Sequence, residues 1–320
     1  MGVSTALGLA PWYGLSVIHD APTPATGPEE NRIVAGDRVE RRLLRQISRL
    51  NKRWCLIEPD DLVMVAISGA KDSWGMLHLL RAYRSKLPFE FSIVAVNLDQ
   101  GHPGFPVSRM RDHLEAEGFD YRLVSADTYR VVKEHPPEGK AFCSLCSRLR
   151  RGILYRTATE VGATKIALGH HREDVLETFL LNFACAGQLK AMPCKLRSDS
   201  GEHTIIRPLA TCTEADLADL AVARGYPIVA CDLCGSQDNL RRKKMKALIP
   251  GFEEDGPRIP NNLFAALGNI KPSHLWNEEL AHAWGTRESI DAPSISTVED
   301  RDAGHEGPRL VSLRVTGEAK

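Results

Sequence analysis

Residues 62–67 (Leu-Val-Met-Val-Ala-Ile) form an unbroken apolar run that ends at Ser68-Gly69-Ala70-Lys71-Asp72-Ser73. A helical pattern follows at once, with Met76, Leu77, Leu79 and Leu80 on one side. A strand without polar alternation is covered on both faces, which is the habit of parallel sheets flanked by helices. The turn between strand and helix is built from small residues, so backbone N–H groups can approach an anion closely, and the helix N-terminus adds its dipole. Ser68 and Ser73 can donate hydroxyl hydrogen bonds, Lys71 supplies charge, and Asp72 can hold Mg²⁺ against phosphate oxygens. Ser68, Gly69, Ala70, Lys71, Asp72 and Ser73 are therefore the candidate phosphate-binding residues. An ordinary strand-to-helix turn capped by Ser and Asp is the plainer reading. The Walker pattern G-x-x-x-x-G-K-[ST] is absent.

Strands and helices continue to alternate. Helical spacing of Val39, Leu43, Leu44, Ile47, Leu50 and Trp54 predicts an amphipathic helix with Asp37 as its N-cap. Strands are expected over 91–98, 121–124, 165–168 and 204–206, and helices over 73–83, 106–117, 149–161, 175–184 and 214–223. This order implies an α/β fold with a doubly wound, mostly parallel sheet. Ligands in such sheets bind at the carboxyl ends of the strands. The expected divisions are an irregular extension over 1–36, a nucleotide-binding domain over 37–225, a cysteine and basic region over 226–285, and a polar tail over 286–320. The tail carries one short apolar patch, Leu310–Val315, that reads as a docking strand.

The loop over 68–73 resembles the pyrophosphate loop S-G-G-x-D-S of the N-type ATP pyrophosphatases, enzymes that split ATP between its α and β phosphates. Ala70 stands where the second glycine usually sits. On this resemblance, Asn97 and Asp99 end the second strand where the adenosine half of ATP lies. Gly169-His170-His171-Arg172-Glu173-Asp174 closes another strand and opens a helix. Its acids are expected to share Mg²⁺ or to position the attacking group, and its basic residues to meet phosphate.

The chain has eight cysteines, and its N-terminus lacks the basic start of an export signal. No run approaches the roughly 18 apolar residues needed to span a bilayer. A reducing, cytoplasmic compartment and free thiols follow. Four of the cysteines make two C-x-x-C pairs, Cys143/Cys146 and Cys231/Cys234. Zinc on four thiolates, a redox dithiol and an iron–sulfur cluster all fit such pairs. Zinc ribbons usually separate their pairs by about 15 to 20 residues, whereas several sheet elements intervene here. Spacing alone does not separate zinc from a three-thiolate cluster. The phosphate loop favours the cluster, because an ATP-activated substrate needs a nucleophile. Cys55, Cys185, Cys194 and Cys212 are isolated and read as small hydrophobes.

Lys plus Arg and Asp plus Glu both number 41, so a nucleic-acid partner must be held by local patches. Arg148, Arg150, Arg151 and Arg156 follow the first pair, and Arg241, Arg242, Lys243, Lys244 and Lys246 follow the second. Both sets adjoin the candidate cluster site and read as RNA-backbone contacts. With aromatic residues at 6%, base recognition on a stacking platform is not expected.

Taken together, residues 68–73, Val94–Gln100, Pro103–Pro106, Cys143–Tyr155, Gly169–Arg172, Ile206–Leu209 and Cys231–Gln237 resemble the tRNA 2-thiocytidine synthetases, over roughly residues 38 to 275. Glu173 stands where that family has the first of two adjacent aspartates. The resemblance implies ATP-dependent thiolation of cytidine 32 in the anticodon loop of tRNA, with Lys71, Asp72 and Asp174 catalytic. It implies ATP bound by the loop with Asn97, Asp99, Gly169 and His170, together with Mg²⁺. It also implies a [4Fe-4S] cluster on three cysteines: Cys143, Cys146 and one of Cys231 or Cys234. A sulfur donor such as a cysteine desulfurase is implied as a partner, a membrane is not, and a homodimer is compatible. The competing expectations are another adenylating enzyme of the same fold with structural zinc, and a non-catalytic zinc-bearing RNA-binding protein.

Overall fold

The computed structural model describes residues 28–101, 105–134, 142–198, 200–229 and 237–283. Its first strand, β1 (Leu62–Ile67), carries the expected apolar run without a residue's difference. On one side of β1 lie β2 (Ser92–Asp99) and β3 (Tyr121–Ser125), and on the other β4 (Lys165–Ala167), β5 (Lys195–Arg197) and β6 (Thr204–Ile206). The sheet order is β3-β2-β1-β4-β6-β5. All pairings are parallel except β5 with β6, where β5 forms an antiparallel edge. The chain moves outward from β1 to β3 and then returns to the opposite flank of β1. That reversal makes the carboxyl ends of β1 and β4 the crevice of the sheet.

Two layers of helices cover the sheet. α1 (Pro28–Trp54), α2 (Lys71–Arg84) and α7 (Glu214–Arg224) pack together on one face. Val63, Val65, Ile67, Ile93 and Ala95 meet Leu43, Ile47, Trp74, Leu77 and Leu217 there in a single core. The opposite side chains of the same strands, Met64, Val94, Val96 and Ile166, pack on Leu154 and Ala158 of α5 (Phe142–Glu160). Strand residues alternate between these two cores, as the period of two requires. α3 (Val107–Ala116) and α4 (Thr128–Glu134) link β2, β3 and α5. α6 (Arg172–Ala186) is packed by α8 (Gln237–Asp255) and α9 (Ile259–Ala266).

The expected strands and most helices are present, with several corrections. α1 begins at Pro28, so residues 28–36 are helical and Asp37 lies inside the helix instead of capping it. Pro28 followed by two glutamates is a proper helix start, because proline suits the first turn and acids suit its dipole. α5 starts at Phe142, so the first cysteine pair sits on a helix and not in a loop before one. α4, β5, α8 and α9 were not expected. Of the isolated cysteines, Cys212 is buried and Cys194 half-buried, whereas Cys55 and Cys185 are exposed.

The chain divides after Gly268. In the second unit the described residues form a 3-10 turn at Pro272–His274 and the short helix α10 (Glu278–Ala283). The apolar patch Leu310–Val315 lies outside the described residues. No helix among the described residues is long and apolar enough to cross a membrane.

Candidate active site

The turn after β1 is held by its own side chains. Ser73 Oγ donates to Ala70 O at 2.8 Å and accepts from Ser68 N at 3.2 Å. The two serine hydroxyls lie 3.3 Å apart. Gly69 adopts φ +88°, and a Cβ there would stand 3.0 Å from Val229 Cβ, so this position needs glycine twice over. At Ala70 φ is −74°, an extended backbone that accepts a methyl group. The departure from the double-glycine pattern therefore leaves the path of the loop unstrained. Gly169, just after β4, faces the start of α2: a Cβ there would sit 3.2 Å from Ser73 N and 3.3 Å from Asp72 O.

These strand ends open a cavity of about 270 Å³. Its polar wall holds Ser68, Asp72, Ser73, Gln100, Arg150 and His170, and its apolar wall includes Val96, Leu98, Phe105 and Leu154. The alternation of β2 decides which side chains enter. Val96 and Leu98 face the cavity, and Gln100 continues that side beyond the strand. Asn97 and Asp99, the expected adenosine contacts, lie on the other side. Asn97 is buried and donates to Ile67 O at 2.8 Å, bracing the end of β1. Asp99 accepts from Gly101 N at 2.9 Å and shapes the turn. Counting by two from Val94 would have placed Gln100 on the cavity side.

α5 closes the cavity and carries the first cysteine pair. Cys146 Sγ donates to Gln100 Oε1 at 3.4 Å. One helical turn further along, Arg150 lines the cavity. It was expected on RNA, and its position suits the nucleotide as well. Cys143 stands one turn before Cys146 on the same helix. Cys231 and Cys234 lie outside the described residues. The segment leading to them is anchored on the phosphate loop: Val229 N donates to Gly69 O at 2.9 Å, and Trp74 Nε1 to Pro227 O at 3.2 Å.

The loop after β4 divides its labour. His170 lines the cavity, and its buried Nδ1 has no partner among the described residues. Burial, reinforced by the nearby Arg207, Arg242 and Arg150 charges, brings its pKa down to about 4 despite Asp174, so the ring is neutral at pH 7. His171 faces inward. Its Nδ1 lies 3.1 Å from Glu173 Oε2, and its backbone N donates to Asp174 Oδ2 at 2.9 Å. Burial opposes the charged ring, but Glu173, Asp174 and Asp72 outweigh it and raise its pKa. Glu173 is buried and saturated: Arg172 Nη2 donates to Oε1 at 2.6 Å, and Glu214 N to Oε2 at 2.8 Å. Burial alone would raise its carboxyl, yet His171, Arg172 and the Glu214 N–H hold it down at about 2. The expectation that Glu173 shares a metal is thereby corrected, because both oxygens are committed to the α6–α7 junction. Asp174 is the acid of this loop that remains partly exposed.

Two lysines meet one carboxylate beside the loop. Lys71 Nζ lies 3.1 Å from both oxygens of Asp72 and 3.2 Å from Glu214 Oε1. Lys246 Nζ, from α8, lies 2.8 Å from Glu214 Oε2. Lys246 was expected in the phosphate-gripping patch after the second cysteine pair and is instead paired with Glu214, a residue that nothing in the local pattern marks. Arg242 Nε lies 3.5 Å from the buried Glu177, whose pKa is raised first by burial and then by Asp174. Arg148, Arg151, Arg241, Lys243 and Lys244 are exposed. Among the described residues, no group of three or more His, Cys, Asp or Glu is arranged to hold a metal ion.

Residues 39–250 match the family model of the PP-loop domain. A tRNA-cytidine(32) 2-sulfurtransferase of Tolumonas auensis is 52% identical over 244 residues, covering 76% of this chain and 81% of its own. That of Anaeromyxobacter dehalogenans is 48% identical over 281 residues, covering 86% and 96%. Among solved structures, the U34-tRNA thiolase of Methanococcus maripaludis with its [4Fe-4S] cluster superposes with a TM-score of 0.58. It covers 74% of this chain and 81% of its own at 20% identity, a likeness of fold. By its phosphate loop, its sheet and its relatives alike, the chain belongs to the PP-loop family and, within it, to the tRNA-cytidine(32) 2-sulfurtransferases.

Proposed function

We propose that the protein converts cytidine 32 of the tRNA anticodon loop to 2-thiocytidine, using ATP. The observation that carries this reading is the contact of Cys146 with Gln100, a residue that lines the cavity opened by the phosphate loop. A thiol so placed is next to the cavity proposed for the nucleotide and not on a remote structural element.

The C2 oxygen of cytidine is a poor leaving group. Its attack on the α-phosphorus of ATP releases pyrophosphate, and the oxygen then departs with AMP as sulfur takes its place on C2. Ser68, Gly69, Ala70 and Ser73, with the N-terminus of α2, offer N–H and O–H donors to the β and γ phosphates. Lys71, held beside the loop by Asp72 and Glu214, is the cation we assign to the charge that grows on the departing pyrophosphate. The neutral His170, with Nδ1 unpartnered at the cavity wall, can hydrogen-bond the nucleotide without adding charge. Val96, Leu98 and Leu154 form an apolar wall for the base. Arg150 balances phosphate charge from the α5 side. Mg²⁺ bound to a nucleotide needs only one or two protein carboxylates, a place that Asp72 and Asp174 suit.

Cys143, Cys146 and one of Cys231 or Cys234 are the ligands we assign to a [4Fe-4S] cluster. The fit rests on Cys146, a half-buried thiol within reach of the cavity. When bound, such a cluster would hold a sulfide taken up from the sulfur donor, the nucleophile that replaces oxygen. Arg148, Arg151, Arg241, Lys243 and Lys244 are the cations we assign to the RNA backbone around the target loop, and Arg242 reaches it only by leaving Glu177. A sulfur donor such as a cysteine desulfurase is the protein partner that this chemistry requires.

The test combines two measurements. Nucleosides of tRNA from a deletion strain should lack 2-thiocytidine and regain it when this chain is supplied. Anaerobically purified protein should contain iron and acid-labile sulfide. A colourless protein with one zinc and no labile sulfide, or unchanged 2-thiocytidine in the deletion strain, overturns the proposal.

A further inference from the structure

The cations of α1 are sorted by face. Arg42 turns toward α7 and makes a bidentate pair with Asp216, at 2.8 and 2.5 Å. The acids of the helix are used nearby: Asp37 and Glu40 both hold Arg224 Nη2 at 2.6 Å. Val39, Leu43, Leu44, Ile47 and Leu50 are buried. Arg53 is exposed over the Trp54 ring, and along one outward face run Arg38, Arg41, Arg45, Arg49 and Lys52, all exposed, with no hydrogen-bond or ion-pair partner among the described residues.

Their spacing makes them one feature. At 3.6 residues per turn the five fall within a sector of about 80°, and at 1.5 Å per residue they extend over roughly 21 Å. Five unpaired cations in a line cost self-repulsion unless a polyanion meets them, and in a chain with 41 residues of each sign they are a local concentration of charge. Another polar region, the cavity of about 690 Å³ around His78 and Tyr226, behaves differently. There Arg81 is paired with Glu117 and Arg224 with Asp37 and Glu40, so no net positive charge is left to offer a polyanion.

The stripe is also remote in the fold from the cations next to the first cysteine pair. α1 belongs to the layer of α2 and α7, whereas Arg148, Arg150 and Arg151 lie on α5 across the sheet. An RNA loop inserted on the α5 side cannot lay the same phosphates along α1. We propose that the outer face of α1 is a second RNA-contacting surface, gripping the phosphate backbone of the tRNA body outside the anticodon stem-loop. This rests on the proposed tRNA substrate, and the salt dependence of binding separates the two.

The experiment uses the full chain with two RNAs, intact substrate tRNA and its isolated anticodon stem-loop, over a series of salt concentrations. For the triple variant Arg41→Gln/Arg45→Gln/Arg49→Gln, affinity for intact tRNA should fall about tenfold or more. The slope of log K against log salt should lessen by roughly two to three, one contact's worth for each cation removed. Affinity for the stem-loop should be unchanged. The variant Arg41→Lys/Arg45→Lys/Arg49→Lys keeps the charge and should bind intact tRNA like the parent. An unchanged slope in the Gln variant, or equal losses on both RNAs, overturns the proposal while leaving the thiolase reading intact. So does normal tRNA binding combined with lost thiolation in an assay driven by the sulfur-donor protein, which would assign the stripe to that protein. If the parent protein itself binds no tRNA, the thiolase reading falls and this one with it.

Discussion

Cys146 Sγ donates to Gln100 Oε1 at 3.4 Å, tying the helix of the first cysteine pair to the chain just past β2. Gln100 lines the cavity beside the phosphate loop, so one side chain separates the Cys146 thiol from the proposed nucleotide site. A direct consequence is that cluster and nucleotide functions are separable by mutation. Cys146→Ala should lose iron, labile sulfide and thiolation together, with turnover down by about a hundredfold or more, the scale set by removing a group on which the reaction depends. ATP binding, followed by calorimetry, should stay within about threefold of the parent, because Cys146 does not line the phosphate turn. Loss of ATP binding in a folded Cys146→Ala protein would argue against this separation.

Lys71 carries the opposite expectation. It is held between Asp72 and Glu214, and Glu214 is shared with Lys246. Lys71→Met should lower the rate of AMP formation by about 10² to 10³, the range for removing one preorganised charge at a developing anion. Glu214→Gln removes the anchor but leaves the ammonium, so its effect should be smaller, about tenfold. Rapid-quench measurement of ATP-to-AMP conversion with saturating tRNA distinguishes the two. Equal losses would mean that Glu214 acts on the substrate itself and not through Lys71.

Much of this was legible in the chain. The run from Leu62 to Ile67 fixed its own strand and the turn after it, because six apolar residues closed by Ser-Gly admit few other readings. The face of β2 was legible too, but only by counting: Val96, Leu98 and Gln100 share the cavity side, whereas Asn97 and Asp99 lie on the other. Polar side chains at a strand end are as often braces as ligands, and Asn97 braces Ile67 O. Glu173 was misjudged for a related reason. An acid beside a histidine suggests a metal, but its partners, Arg172 and the N–H of Glu214, are fixed by the meeting of α6 and α7. That junction joins residues far apart in sequence. α8 was hidden because its cations drew the reading toward charge, and Pro250 within it breaks the helical pattern.

Gly169→Ala tests the contact between β4 and α2. The added methyl would come within 3.2 Å of Ser73 N and 3.3 Å of Asp72 O, both backbone atoms that cannot swing aside. Overpacking of this kind costs about 1–3 kcal/mol. Because the displaced atoms belong to the first turn of α2, the penalty should appear mainly as weaker ATP binding, about tenfold, with a smaller drop in melting temperature. Ala70→Gly makes a useful contrast. Its φ of −74° needs no glycine, so nucleotide affinity should change by less than about threefold. A large gain on Ala70→Gly would show that the methyl group obstructs the phosphate.

Stability should depend on pH through three histidines of opposite sign. His78 and His170 are brought down to about 4 chiefly by burial, so between pH 4 and 6.5 the unfolded chain binds protons that the folded chain refuses. Stability therefore rises with pH across that window, by up to about 1.4 kcal/mol per pH unit for each such group. His171 works the other way. Its pKa is raised, so its contribution is complete below about 6.5 and is lost as pH climbs through the folded value. Glu173, held at about 2, contributes above its ordinary carboxylate range and loses that contribution only on acidification from about pH 4 toward 2. The melting temperature should thus decline from pH 6.5 to pH 4.5. His78→Gln should flatten that decline, since it removes one of the two reluctant imidazoles. His78 stacks on Tyr226 with centroids 4.7 Å apart, and its Nε2 lies 3.1 Å from His113 Nε2, whose pKa burial also lowers. Arg81 and Arg224 also disfavour its proton and Glu117 favours it. An undiminished pH slope in His78→Gln, measured by calorimetric melting at both ends of the window, would exclude His78 as a source of the acid sensitivity.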